Sequence, residues 1–224
     1  MTNKKRELKE NEYPFGFMDK YKILLEDAID LDNKIIYLFG DLEEDLGTLL
    51  RLKFRVLETY WKEEKDSSLD TVSLDISSFG GSIYSIFAAL DFYDELKFEK
   101  NILVNTKAQG ICMSAATILL FGGTGTRMAS KRCKLMLHDI QISGLEGSAT
   151  QLKANMKTLE KEQEELFQFY AQFSREKDTP ELSGNKLKKE TKKWMDKIAK
   201  NSIEHHISSK QALDFKLIDG ILYS

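Results

Sequence analysis

Four short apolar runs, each answered by a stretch of helical period, constrain this chain more than any other feature. Residues 34–39 run to Gly40 as a strand, and residues 44–62 follow with Leu46, Leu49, Leu50, Phe54, Leu57 and Trp61 at helical spacing. Residues 71–76 alternate as a second strand. After Gly80 and Gly81 comes a helical stretch with Ile83, Ile86, Phe87, Leu90 and Tyr93. Residues 102–106 read as a third strand, and the small, apolar segment 114–121 suits a buried helix. Residues 135–138 form the fourth run. The longest periodic segment follows over 149–173, with Leu152, Met156, Leu159, Leu166, Phe169 and Phe173 on one face. Residues 186–200 predict a lysine-rich amphipathic helix with Leu187, Trp194 and Ile198 as its stripe, and residues 209–222 a short helix and a closing strand. Strands separated by helices predict an α/β fold with mainly parallel connections. The first 20 residues are polar and read as a flexible arm, leaving 21–224 as a single domain, long enough for one good-sized core.

Composition narrows the function classes. A net charge of −3 gives no general attraction to nucleic acid or to an anionic membrane. No apolar run approaches the roughly 20 residues a bilayer span needs. The charged opening residues lack the apolar stretch of a secretory signal. Cys112 and Cys133 are too few for a disulfide framework and lack metal-ligand spacing, so both read as small buried hydrophobes in a reducing, cytoplasmic compartment.

Three segments could carry chemistry. Ser77–Ser82 follows a strand and precedes a helix, and Gly80 and Gly81 leave amides there uncovered by side chains. Such a turn can hold a phosphate or an oxyanion, but it carries neither a phosphate-loop lysine nor a dinucleotide fingerprint. Gln109–Thr117 places Ser114 at the start of an apolar helix, where it is either an N-cap or a nucleophile beside free amides. His138 closes the apolar run 135–137 and is either a structural residue or a general base. Ser114 and His138 are too distant in sequence for a local motif, so only the fold can unite them.

These segments, in this order, resemble the proteolytic subunit of the Clp protease (ClpP), including its phage-encoded relatives. The resemblance runs from about Tyr21 to Leu222. Ile76–Ser82 is similar to the family's Asn-Ser-Pro-Gly-Gly turn, with Phe79 in place of proline, and Gly110–Ala116 to its Gly-x-Ala-x-Ser segment. Gly122–Arg127 and Leu135–His138 resemble the approach to the family's histidine. Gly147–Leu152 resembles the start of its handle helix, and Ser208–Asp219 its closing segment.

The resemblance implies a spiral of ββα units with a protruding handle, about residues 139–173, and a lysine-rich insertion at about 175–200. It implies a serine-type endopeptidase with Ser114 as nucleophile, His138 as base, and the backbone N–H groups of Gly81 and Ala115 as oxyanion hole. The family's acid position falls on Glu204, with Asn201 and Asp196 as alternatives; a glutamate can serve in such a triad. Cys112 is the rival nucleophile, but the spacing from Gly110 to Ser114 matches that of the family's glycine and serine. No cofactor and no metal is implied.

The partners implied are polypeptide substrates and further copies of the chain, in stacked rings of seven. An ATP-dependent unfoldase is the remaining one, although Ser73 and Asp75 stand where the family shows aromatic docking residues. Neither a membrane nor a nucleic acid is implied, and the lysines of 186–200 read as a solvated face. Two other functions stay open: a catalytically weak or inactive ring protein that modifies a host protease, and a crotonase-type acyl-CoA enzyme of the same architecture.

Overall fold

The computed structural model describes residues 17–141, 146–176, 179–199 and 204–223. The strands are β1 (Ile29–Asp30), β2 (Ile35–Leu42), β3 (Thr71–Gly81), β4 (Leu103–Met113), β5 (Arg127–Ser130), β6 (Lys134–Leu137), β7 (His205–Ile207) and β8 (Gly220–Leu222). The helices between them are α1 (Phe17–Asp27), α2 (Leu46–Glu64), α3 (Ile83–Asp94, continued by a π turn over Glu95–Glu99), α4 (Ala115–Phe121), α5 (Ala149–Phe173), α6 (Gly184–Ala199) and α7 (Ser209–Asp214). The fold is α/β, with a sheet ordered β1-β2-β3-β4-β5-β8 that is parallel from β2 onward.

β3 and β4 bury alternate residues, so the residues on their inner face are mostly apolar. Ile36, Leu74, Ile76, Val104 and Ala108 are fully buried. α2 contributes Leu46, Leu50, Phe54, Leu57 and Tyr60, at intervals of three and four; Leu49, expected on that face, is exposed. Buried Arg127 ties β5 to the layers behind the sheet. It pairs with Asp219 at 2.7 Å and donates to the carbonyls of Phe121, Phe173 and Lys216.

One irregularity matters for function. β4 pairs with β5 over Thr106–Ala108 and then, past Gly110, with β6 over Ile111–Met113. Gly110 has φ +72°, a conformation favouring glycine, and marks the place where the strand changes partner.

Several elements differ from the sequence expectation. α1 begins at Phe17, inside the stretch read as an arm; residues 1–16 lie outside the described residues. β3 runs on to Gly81 through a segment read as a turn, β4 runs on to Met113 beyond the strand read over 102–106, and β1, β5 and β7 were not expected. Of the expected handle, about residues 139–173, residues 142–145 lie outside the described residues. The periodic segment 149–173 forms α5, opened by a capping box between Ser148 and Gln151. Its first four turns are largely exposed, while Leu166, Phe167, Tyr170 and Ala171 near its end are buried. α6 packs along α5 through Trp194, whose ring lies 5.7 Å from that of Tyr170.

Candidate active site

Ser114 is the single residue between the end of β4 and the start of α4. Its backbone has φ 53° and ψ −131°, a conformation costing a residue with a Cβ on the order of 1–3 kcal/mol. The surroundings hold it there. Its N–H donates to the Met136 carbonyl at 2.7 Å. Its own carbonyl accepts from the Thr117 N–H at 2.9 Å and the Thr117 hydroxyl at 2.6 Å. The Thr117 hydroxyl lies 3.3 Å from that of fully buried Tyr170.

Gly80 closes the site from the other side. Its φ is +110°, and a Cβ there would stand 2.7 Å from the Ser114 Cβ and 2.9 Å from the Met113 carbonyl oxygen. Ser78 pins this end of β3, donating to the Gly40 carbonyl at 2.5 Å and accepting from the Gly80 N–H at 3.0 Å. The glycine pair therefore allows close approach of β3 to the serine, besides turning the chain.

The register of β4 with β6 brings in the histidine. Met113 lies opposite Met136, so Ser114 and His138 leave the ends of two paired strands one register step apart. His138 Nε2 lies 2.6 Å from Ser114 Oγ. His138 Nδ1 bonds the carbonyl oxygen of Asp139, which can only accept. That fixes the proton on Nδ1 and leaves Nε2 as the acceptor of the serine proton.

Glu204 directly precedes β7, which runs antiparallel to β6. Leu137 lies opposite His205 and Met136 opposite His206, so one further step sets Glu204 opposite His138. The Glu204 carboxylate bonds His206 Nε2 at 3.1 Å. Asp196 lies on α6, and Asn201 falls outside the described residues.

Ser114, His138, Glu204, Gly81 and Ala115 all line one open cleft of about 570 Å³. Ile83, Ile118, Leu159 and Leu166 give it an apolar wall, and the Tyr84 hydroxyl donates to Glu162 across its side at 2.9 Å. Cys112 is fully buried, and burial pushes its thiol well above the ordinary range. Burial also pushes the Cys133 thiol up to about 11. Both are thiols at neutral pH and poor nucleophiles. Among the described residues no cluster of three or more His, Cys, Asp or Glu is placed to hold a metal ion, and no helix is long and apolar enough to cross a membrane.

Sequence reasoning missed three contributors: Thr117, the Asp139 carbonyl and His206. The first two act through local backbone geometry that leaves no pattern. His206 had a signal, because residues two apart on a strand share a face.

Comparisons with known proteins identify a family. The family model for Clp protease matches residues 29–224. The ATP-dependent Clp protease proteolytic subunit 1 of Shouchella clausii (strain KSM-K16) is 29% identical over 206 residues, covering 91% of this chain and 89% of that protein.

Proposed function

Because the chain belongs to the Clp protease family, we propose that it is a serine-type endopeptidase working through Ser114 and His138. The contact that carries this reading is the 2.6 Å separation of Ser114 Oγ and His138 Nε2, on a serine held in a costly backbone conformation. Ser114 Oγ attacks the peptide carbonyl and passes its proton to His138 Nε2, which delivers it to the leaving amine. Water then cleaves the acyl-enzyme by the same steps in reverse.

The N–H groups of Gly81 and Ala115 stabilise the oxyanion. Successive amides of an extended strand point to opposite edges, and the Ser82 N–H already donates to Leu42 on β2 at 3.0 Å. The Gly81 N–H thus faces the serine, and each such donor is worth on the order of 3 kcal/mol. Glu204 is the acid: swung from His206 to His138 Nδ1, its carboxylate balances the imidazolium that forms. The apolar wall admits an aliphatic or aromatic side chain of an extended polypeptide.

The working form is an oligomer of stacked rings, and the exposed half of α5, with Leu152, Met156 and Leu159 at helical spacing, is the surface that joins two copies. Because the relative is named a proteolytic subunit of an ATP-dependent protease, an unfoldase is the natural source of substrate. At the docking strand, however, Asp75 is occupied by Lys107 at 2.7 Å and Gln109 at 3.1 Å.

The test is cleavage of small fluorogenic peptides by the purified chain. Hydrolysis falls by at least about 10⁴-fold in Ser114→Ala; equal hydrolysis by the variant contradicts the reading. The bond from His138 Nδ1 to a neutral carbonyl favours a second reading, a catalytically weak ring protein. It predicts mixed rings with a host subunit on co-expression and no turnover by the chain alone.

A further inference from the structure

One residue lining the cleft of Ser114 and His138 is out of keeping with its apolar wall. Leu159, Glu162 and Leu166 stand three and four residues apart on α5, and all three line the cleft. That spacing puts them on one face of the helix, so the wall is apolar on either side of a single carboxylate. Glu162 is half-buried there. The Tyr84 hydroxyl, reaching across from α3, donates to Glu162 Oε1 at 2.9 Å. That bond fixes where the carboxylate stands but brings no positive charge to it. Asp139 and Glu204 line the same cleft, and among the described residues that line it there is neither a lysine nor an arginine.

We propose that Glu162 makes the cleft select a lysine or arginine side chain next to the bond that is cut. The proposal rests on the reading of Ser114 and His138 as the catalytic pair, and it names the substrates of that site. Both side chains join a long aliphatic stem to a cation. The stem lies along Ile83, Ile118, Leu159 and Leu166, and the cation meets the Glu162 carboxylate in a charge-assisted hydrogen bond. An aliphatic side chain of the same length gains the wall but covers the carboxylate without giving it a partner, which is unfavourable. An acidic side chain is repelled.

The test digests an unfolded polypeptide with the full chain and reads the cut sites by mass spectrometry. Lysine and arginine should be enriched by roughly threefold or more at one fixed position beside the cuts, with aspartate and glutamate depleted there. Glu162→Gln keeps the shape and can still accept from Tyr84, so a merely bridging role between α3 and α5 survives it; the basic preference should not. Glu162→Lys should turn the preference towards acidic residues. Peptides that differ only in one central lysine or norleucine are then titrated against Ser114→Ala by fluorescence anisotropy, which needs no turnover. The lysine peptide should bind more tightly, by a margin that shrinks with salt and vanishes when Glu162→Gln is added. That result in a chain that never cleaves peptides upholds the selection and removes the peptidase reading. Cut sites and affinities that Glu162→Gln leaves unchanged overturn the proposal and leave the peptidase reading standing.

Discussion

Ser114 and Glu204 line the same cleft as His138, but they are placed there with very unequal rigidity. Ser114 follows an eleven-residue strand, is bonded through both its N–H and its carbonyl, and has Gly80 pressed against it. Glu204 precedes a three-residue strand at the sheet's edge, and its carboxylate is half exposed on His206. The nucleophile side is over-determined, so the strain at Ser114 persists. The side proposed for the acid sits at a short, half-exposed edge strand, so it is where adjustment is cheap. A site built this way is assembled by the fold and tuned by its edge.

The largest effect that would break the comparison is expected at Gly80. Gly80→Ala forces a Cβ to within 2.7 Å of the Ser114 Cβ and strains a φ of +110°. Displacing a nucleophile by about an ångström costs on the order of 100-fold in kcat. Circular dichroism and peptide kinetics on the same sample would separate this loss from unfolding. An active Gly80→Ala protein would show that the nucleophile side is as adjustable as the acid side.

Glu204→Gln sharpens the contrast. It is expected to lower kcat by about tenfold, well short of the loss at Ser114, because the Asp139 carbonyl still holds the tautomer. A loss equal to that of Ser114→Ala would mean that the acid is as fixed as the serine.

The smallest effect concerns His205, on the far face of β7. Burial, Lys197 and His206 lower its pKa, so the folded chain favours the neutral ring. That contribution is present above the ordinary histidine range and is lost as pH falls through the lower folded value. Thermal unfolding should therefore lose more stability between pH 7.5 and about 5 in the parent than in His205→Asn. Equal losses would place β7 in a looser setting than its burial implies.

How much of this was legible in the sequence follows the same division. α5 was readable over 149–173 because its apolar spacing is long and a serine caps it. The strands of the sheet centre were readable because they bury one face, which leaves an alternating pattern over 71–76 and a short apolar run elsewhere. β5 was not: Arg127–Ser130 has no apolar run, and its arginine is buried only because Asp219 and three carbonyls receive it. The ends of β3 and β4 were hidden by their glycines, which signal turns but here permit a bulge and a close approach. The pairing of Ser114 with His138 needed the family resemblance, since the register of β4 with β6 that sets it spans three residue pairs. The register that sets Glu204 beside the end of β6 was beyond reach, because a three-residue strand carries no periodicity to fix it.

The central claim is that Ser114 is an activated nucleophile. The most direct measurement is reaction of the intact chain with a fluorophosphonate, followed by mass spectrometry of its peptides. The account predicts one adduct per chain, on Ser114, absent from Ser114→Ala and strongly reduced in His138→Ala, with Cys112 and Cys133 unmodified. A folded protein that gives no adduct at Ser114, or one that reacts equally well without His138, would contradict it.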